Sequence, residues 1–180
     1  DSEKMSKSLG NVKLIHDLLK HFDGETMRFA LMSAHYRQPL DWTESLLDQS
    51  KTTLDRLYNA MRRMKHVQAA NTGAPDGVLN ALCDDLNTPL ALAELSALAT
   101  EANKAEPQDW PRLKGLLLAA GSLLGLLQRD PDEWARGDAS DADRIDGLVA
   151  GRVAARQAKD FAEADRIRKA LAAEGIEIMD

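Results

Sequence analysis

The sequence predicts an all-α protein, and three observations carry that expectation. Hydrophobic residues make up 44% of the chain but aromatics only 4%, a mix that suits helices packed through small and medium side chains. Apolar residues recur at helical spacing through most segments. The breaks between segments hold Asn, Asp, Gly and Pro where helices start or stop. The expected architecture is a short N-terminal helical piece, one long helix, an antiparallel helical bundle and a C-terminal helical hairpin with a short terminal strand.

Each element has a local signal. Residues 1–11 read as a loop, because Gly10-Asn11 is turn chemistry and Asn11 can cap the next helix. Leu14, Ile15, Leu18, Leu19 and Phe22 predict a helix over 12–22, broken by Asp23-Gly24. A second helix carries Met27, Phe29, Ala30, Leu31 and Ala34 and ends near His35, before the Pro39 connector. Thr43 caps a long helix whose apolar face (Leu46, Leu47, Leu54, Leu57, Tyr58, Met61, Met64) predicts a run to about Ala70. Arg62, Arg63 and Lys65 there read as favourable charge near a helix C-terminus.

After the loop NTGAPDG, Val78–Asp84 predicts a short helix, Thr88-Pro89 starts another, and Gln108–Gln128 a third. Residues 130–143 read as an acidic loop, and Ala142–Ala173 as two helices that break near Lys159-Asp160. Gly175 stops the last helix, and Ile176-Glu177-Ile178 alternate as a strand does. Trp42 is expected to pack the N-terminal piece, and Trp110 and Trp134 to cover the end of the bundle. Cys83 is expected in the core, and Phe161 is read as core in preference to a ring that stacks on an unpaired base.

Composition bounds the function. Basic residues number 23 and acidic residues 29, so the chain as a whole is not a basic nucleic-acid binder. Residues 1–70 hold 11 basic and 9 acidic side chains, 71–150 hold 6 and 14, and 151–180 hold 6 and 6. A polyanion would therefore meet the ends rather than the acidic middle. The single cysteine excludes an internal disulfide and a cysteine-based zinc site within these residues. The longest apolar stretch, Leu116–Leu127, is interrupted by Gly121, Ser122 and Gly125 and is too short to span a bilayer. The four histidines show no convergent metal-ligand spacing.

The chemistry-bearing stretch is Lys4-Met5-Ser6-Lys7-Ser8. A Lys-x-x-Lys with flanking serines in a loop can be a solvated basic tail, a phosphorylation site, or a loop that sets ammonium groups against a polyphosphate. Spacing alone does not choose among these.

The full string resembles, without a mismatch, the signature loop of class I aminoacyl-tRNA synthetases, and Leu9-Gly10-Asn11 continues the match. Residues 16–50, with Ser33-Ala34-His35-Tyr36-Arg37, and the string Leu54-Asp55-Arg56-Leu57-Tyr58 resemble the stem region of cysteinyl-tRNA synthetases. DDLNTPLALAEL (84–95) is similar to the start of that family's helical-bundle domain, and residues 155–180 to its C-terminal module.

The resemblance implies an organisation of 1–11 as catalytic loop, 12–70 as stem-contact helices, 71–140 as a helical-bundle (DALR-like) domain and 141–180 as a truncated anticodon-recognition module. It implies an enzyme that attaches cysteine to the tRNA for cysteine with ATP and Mg, in the cytoplasm. Lys4 and Lys7 would lie over the ATP phosphates, with Lys7 the stronger candidate for transition-state contact. Ser6 and Ser8 would support the loop or donate hydrogen bonds. Arg152, Arg156 and Lys159, which share a helix face, are the candidate contacts to tRNA, with phosphates as the expected targets. Tyr36-Arg37 either order their connector or meet the tRNA. The family's His-Ile-Gly-His type motif and its zinc ligands have no counterpart in these residues, so zinc belongs to the longer enzyme. The chain is expected to be inactive by itself. Two rivals remain: a related ligase that joins cysteine to an amino sugar, whose loop continues with Arg where Leu9 stands here, and a non-catalytic helical binding module.

Overall fold

A computed structural model describes residues 6, 8, 12, 14–137, 139–158 and 160–173; for 139–146 and 172–173 it describes the backbone only. Nine α-helices and no strand occur among the described residues. The expected strand at 176–178 lies outside them. The chain forms two compact units, Asp1–Ala135 and Arg136–Asp180.

The first unit opens with α1 (Ile15–Leu18) and α2 (Gly24–Met32). The expected helix over 12–22 is reduced to the four residues of α1 followed by turns. Its N-terminus has no side-chain cap, and Leu14, Ile15 and Leu19 are exposed, so little packing supports a longer helix. α2 is better founded. Asp23 caps it, accepting from the Thr26 amide at 2.9 Å and from Thr26 Oγ1 at 2.7 Å.

α3 (Glu44–Arg63) starts where the sequence placed it, with Thr43 Oγ1 accepting from the Leu46 amide at 3.1 Å. It stops seven residues short of Ala70, with a length of about 30 Å at 1.5 Å per residue. The cause is Lys114. Its ammonium donates to the carbonyls of Met64 at 3.0 Å, Lys65 at 3.2 Å and Val67 at 2.7 Å. Those carbonyls find a partner on another helix, and the chain leaves the helical path to reach it.

α4 (Asp76–Cys83), α5 (Thr88–Lys104) and α6 (Trp110–Leu124) complete the bundle, with a 3-10 turn at Pro107–Asp109 before α6. Asn87 caps α5, accepting from the Leu90 amide at 3.2 Å. Gly125, at φ 66°, closes α6 in the left-handed conformation that glycine adopts most readily. α5 packs on α3, α4 and α6. Leu54, Leu57, Leu95, Leu113, Leu117 and Val78, each below 2% exposed, form the centre of the core. A smaller separate cluster lies towards the start of α3. Met27, Ala30 and Leu47 are buried there, with Leu18, Phe22 and Trp42 packed on them.

One core expectation and one loop expectation fail here. Cys83 is exposed, because α4 turns Val78 and Ala81 inward and its last residue falls outside that stripe. The acidic stretch 130–143 is not all loop. α7 (Pro131–Arg136) forms there, with Asp130 Oδ1 accepting from the Asp132 and Glu133 amides at 2.8 and 3.1 Å, and it buries Trp134.

The second unit holds α8 (Ala139–Gln157) and α9 (Phe161–Ala173), which pack as a hairpin. Ala155, Ala164, Ile167 and Leu171 form its seam. α8 begins three residues ahead of the expected start at Ala142 and so takes in residues 139–141 of the expected loop.

Candidate functional site

Three places carry the functional side chains. The first is the serine–lysine loop. Ser6 Oγ and Ser8 Oγ are 3.2 Å apart, and the Ser8 side is exposed. Lys4 and Lys7 lie outside the described residues. Further along the chain, Leu18 and Phe22 rest on the small apolar cluster of Met27, Ala30 and Leu47. A cleft of about 770 Å³ beside it is lined by Val12, Leu14, His21, Trp42 and Glu44.

The second place joins the α2–α3 connector to the turn between α4 and α5. Tyr36 Oη donates to Asp85 Oδ1 at 2.7 Å, Arg37 Nε lies 3.0 Å from Asp85 Oδ2, and His35 Nε2 is 3.0 Å from the Asp85 carbonyl. The hydrogen bond to Asp85 holds the Tyr36 hydroxyl above its ordinary titration range. Asp85 and Leu86 both have positive φ, 50° and 52°, a strained backbone for residues other than glycine. Tyr36 and Arg37 thus tie their connector to the α4–α5 turn through Asp85, while the Tyr36 ring stays 60% exposed.

The third place is the hairpin. Arg152, Arg156, Phe161, Ala162, Asp165 and Arg168 line a cleft of about 540 Å³ between α8 and α9. Arg152 is only 8% exposed, unusual for a guanidinium, while Arg156 is exposed. Phe161, expected in the core, is 68% exposed. It is the first residue of α9 and stands beyond the seam of Ala164, Ile167 and Leu171. Asp165 accepts from Arg168 Nη2 at 2.7 Å and lies 3.3 Å from the Lys169 ammonium, and these two cations hold its carboxyl below the usual aspartate range. Glu163 is lowered in the same way by Arg166. Of the three residues predicted to share a face, Arg152 and Arg156 line this cleft and Lys159 lies outside the described residues.

Sequence reasoning missed that Phe161, Asp165 and Arg168 join Arg152 and Arg156. Phe161 had a signal. An aromatic directly after the Asp160 cap begins a helix before its partner helix can cover it, and Asp160 Oδ1 accepts from the Glu163 amide at 3.1 Å.

Among the described residues no group of three or more His, Cys, Asp or Glu could hold a metal ion, and no helix is long and apolar enough to cross a membrane.

The comparisons with known proteins fit this geometry. The sequence model of the family described as tRNA synthetases class I (C) catalytic domain matches residues 1–52, and that of the DALR domain matches residues 77–128. The chain is therefore built from class I aminoacyl-tRNA synthetase parts. It is 59% identical to the cysteine–tRNA ligase of Hyphomonas neptunium over 99% of its length, covering 40% of that relative. It is 53% identical to that of Parvibaculum lavamentivorans over 99% of its length, again covering 40% of the relative. For that of Xanthomonas campestris the figures are 55%, 98% and 39%. The chain belongs to the cysteine–tRNA ligase family and corresponds to the C-terminal part of these relatives, about two fifths of their length.

Proposed function

We propose that the chain works as the C-terminal portion of an enzyme that attaches cysteine to the tRNA for cysteine with ATP, in the cytoplasm. Lys7, with Lys4, sets ammonium charge against the ATP phosphates, offsetting the charge that builds on the leaving pyrophosphate. Ser6 and Ser8 shape the loop and donate to phosphate oxygens, with Mg sharing the charge. Zinc, where the longer enzyme carries it, is held by residues other than these. The hairpin meets the RNA: Arg152 and Arg156 of its cleft, together with Lys159, are the phosphate contacts, and Phe161 offers an open ring to an unpaired base. The observation that most supports this reading is the unbroken loop string at the head of a chain that matches cysteine–tRNA ligases along 99% of its length.

The test is cysteine-dependent ATP–pyrophosphate exchange and charging of the tRNA by the full-length protein that carries this chain. Lys7→Ala is expected to lower kcat by a factor on the order of 10². Transfer of cysteine to an amino sugar without tRNA would overturn the reading. Binding of the isolated chain to the tRNA and to an anticodon variant across a salt series tests the hairpin. Discrimination between the two means base contact, whereas equal binding with a steep salt slope means phosphate contact alone.

A further inference from the structure

Three consecutive residues of the α2–α3 connector turn polar groups onto Asp85. Tyr36 Oη donates to Asp85 Oδ1 at 2.7 Å, Arg37 Nη2 donates to the same oxygen at 3.3 Å, and Arg37 Nε lies 3.0 Å from Oδ2. Arg37 Nε also donates to Tyr36 Oη at 2.8 Å, and the guanidinium carbon stands 5.2 Å from the centre of the Tyr36 ring. The His35 ring stacks on that of Tyr36, with centroids 4.8 Å apart. His35 Nδ1 accepts from the Arg37 amide at 3.3 Å, which leaves the proton on Nε2, the atom 3.0 Å from the Asp85 carbonyl oxygen. The imidazole therefore holds the turn by its backbone, and the Asp85 carboxylate can swing away without undoing that bond.

Stability is a poor account of this cluster. Asp85 and Leu86 are left-handed in succession, at φ 50° and 52°, and a leucine has no polar side chain to ease that conformation. The ion pair that results faces water, with the Arg37 side chain 65% accessible and that of Asp85 51%. An exposed pair of that kind adds little to stability. What the geometry supplies is a set of anion donors, a guanidinium and a hydroxyl beside an open aromatic ring, fixed in place before any ligand arrives.

We infer that Tyr36 and Arg37 form a phosphate-binding site for RNA, which the Asp85 carboxylate fills as an internal stand-in until the RNA displaces it. Carboxylate and phosphate offer a guanidinium the same feature, a pair of oxygens that matches its fork. With the phosphate on Arg37 and Tyr36, the tyrosine ring lies open to the adjoining ribose or base. A site this exposed suits one contact among many along a polymer rather than a lone small anion. The inference rests on the reading of the protein as a ligase of tRNA, and it adds to the hairpin a contact on the first unit.

The experiment measures binding of the tRNA for cysteine to the full-length protein that carries this chain, by filter binding across a salt series. Asp85→Asn removes the charge, keeps the side chain's shape and is tolerated in a left-handed backbone. It is expected to tighten binding about three- to fivefold, the scale of an exposed ion pair. Asp84→Asn removes the same charge from the exposed residue next to it and is expected to tighten binding less than about twofold. Arg37→Ala is expected to weaken binding about tenfold and to reduce the salt slope by about one. With Arg37→Ala in place, Asp85→Asn is expected to change binding less than about twofold, because the donor it uncovers is gone. Thermal melts check folding, and Arg37→Gln carries the test where Arg37→Ala does not fold. Equal gains from Asp84→Asn and Asp85→Asn, or a gain from Asp85→Asn that survives the loss of Arg37, reflect charge alone and overturn the inference. Asp85→Asn that leaves binding unchanged or weakens it overturns the inference too, since the carboxylate then only holds the connector. In all these cases the wild type still binds and charges the tRNA. A wild type that does neither overturns the ligase reading, and this inference with it.

Discussion

Trp134 lies flat against Tyr58, with ring centroids 4.2 Å apart and planes 11° from parallel. The stack is tied at both edges. Trp134 Nε1 donates to Asp55 Oδ1 at 2.7 Å, and Tyr58 Oη donates to Glu25 while it accepts from the Arg129 amide at 3.2 Å. Arg129 and Lys51 stand over the tryptophan ring at 5.4 and 4.7 Å. The pair fastens α7 to α3. Trp134→Ala should destabilise the first unit by about 3–5 kcal/mol, the usual cost of removing a buried aromatic. Tyr58→Phe should cost about 1–3 kcal/mol, because it leaves acceptor and donor without the hydroxyl. Urea unfolding followed by tryptophan fluorescence measures both.

The pH dependence has two components of opposite sign. Burial raises the Glu25 carboxyl above its ordinary value, against the hydrogen bonds from Leu127 and Tyr58. A raised carboxyl contributes stability that is present below its unfolded pKa and is lost as pH rises through the folded one. Lys65 and then Arg62, at 2.7 Å each, lower Asp132. That contribution is present above the unfolded pKa and is lost as pH falls through the folded one. Glu25→Gln should therefore flatten the fall in stability with rising pH just above the ordinary glutamate range. Asp132→Asn should flatten the loss on the acid side. Denaturant midpoints taken from pH 3 to 8 check both.

The helix caps should rank by the bonds they make. Asp23 accepts twice from Thr26, whereas Thr43 and Asn87 accept once each. Each single-bond cap changed to alanine should cost about 1 kcal/mol, and Asp23→Ala about 2 kcal/mol. Thermal melts of the three variants test the order.

In the hairpin, Phe161→Ala should leave stability within about 0.5 kcal/mol, since the ring is 68% exposed. If the ring stacks on a base, the same change should weaken binding of single-stranded RNA by about 1–3 kcal/mol with the salt slope unchanged. Arg156→Ala should weaken binding uniformly across sequences and reduce the salt slope by about one. Filter binding at several salt concentrations separates the two kinds of loss.

The legible parts of this fold were those with a local cause. Thr43, Asn87, Pro89 and the break before Phe161 mark helix boundaries through bonds made within a turn or two. The start of α3 and the hairpin division are set by them. The illegible parts were decided by residues distant in sequence. α3 ends at Arg63 because of Lys114, about fifty positions away. α7 is illegible because its acidic first turn reads as loop, and the surface that Trp134 covers, the Tyr58 ring with Lys51 and Arg129 beside it, is not adjacent in sequence. Cys83 and Phe161 were expected inside because both are apolar by type. Cys83 falls on the face of α4 opposite Val78 and Ala81, and Phe161 begins α9 ahead of its seam, placements that composition does not register.

The same distance effect hides the site. The loop string stands out by its residue types alone. The cleft of Arg152, Phe161 and Arg168 exists only once α8 lies along α9. His35, Tyr36 and Arg37 look like ordinary polar residues of a connector until Asp85 is placed beside them.

Lys114 behaves as a monovalent cation on a tether, with three main-chain oxygens as its ligands. A fastening of that kind is blind to side-chain identity at the positions it holds. His66 is exposed, and its side chain can change without loosening the end of α3, whereas Lys65 also holds Asp132 through its ammonium at 2.7 Å. The join between the long helix and α6 thus tolerates drift on one partner while depending on a single amine on the other. In a set of variants, that asymmetry would appear as a permissive position at 66 facing one intolerant lysine.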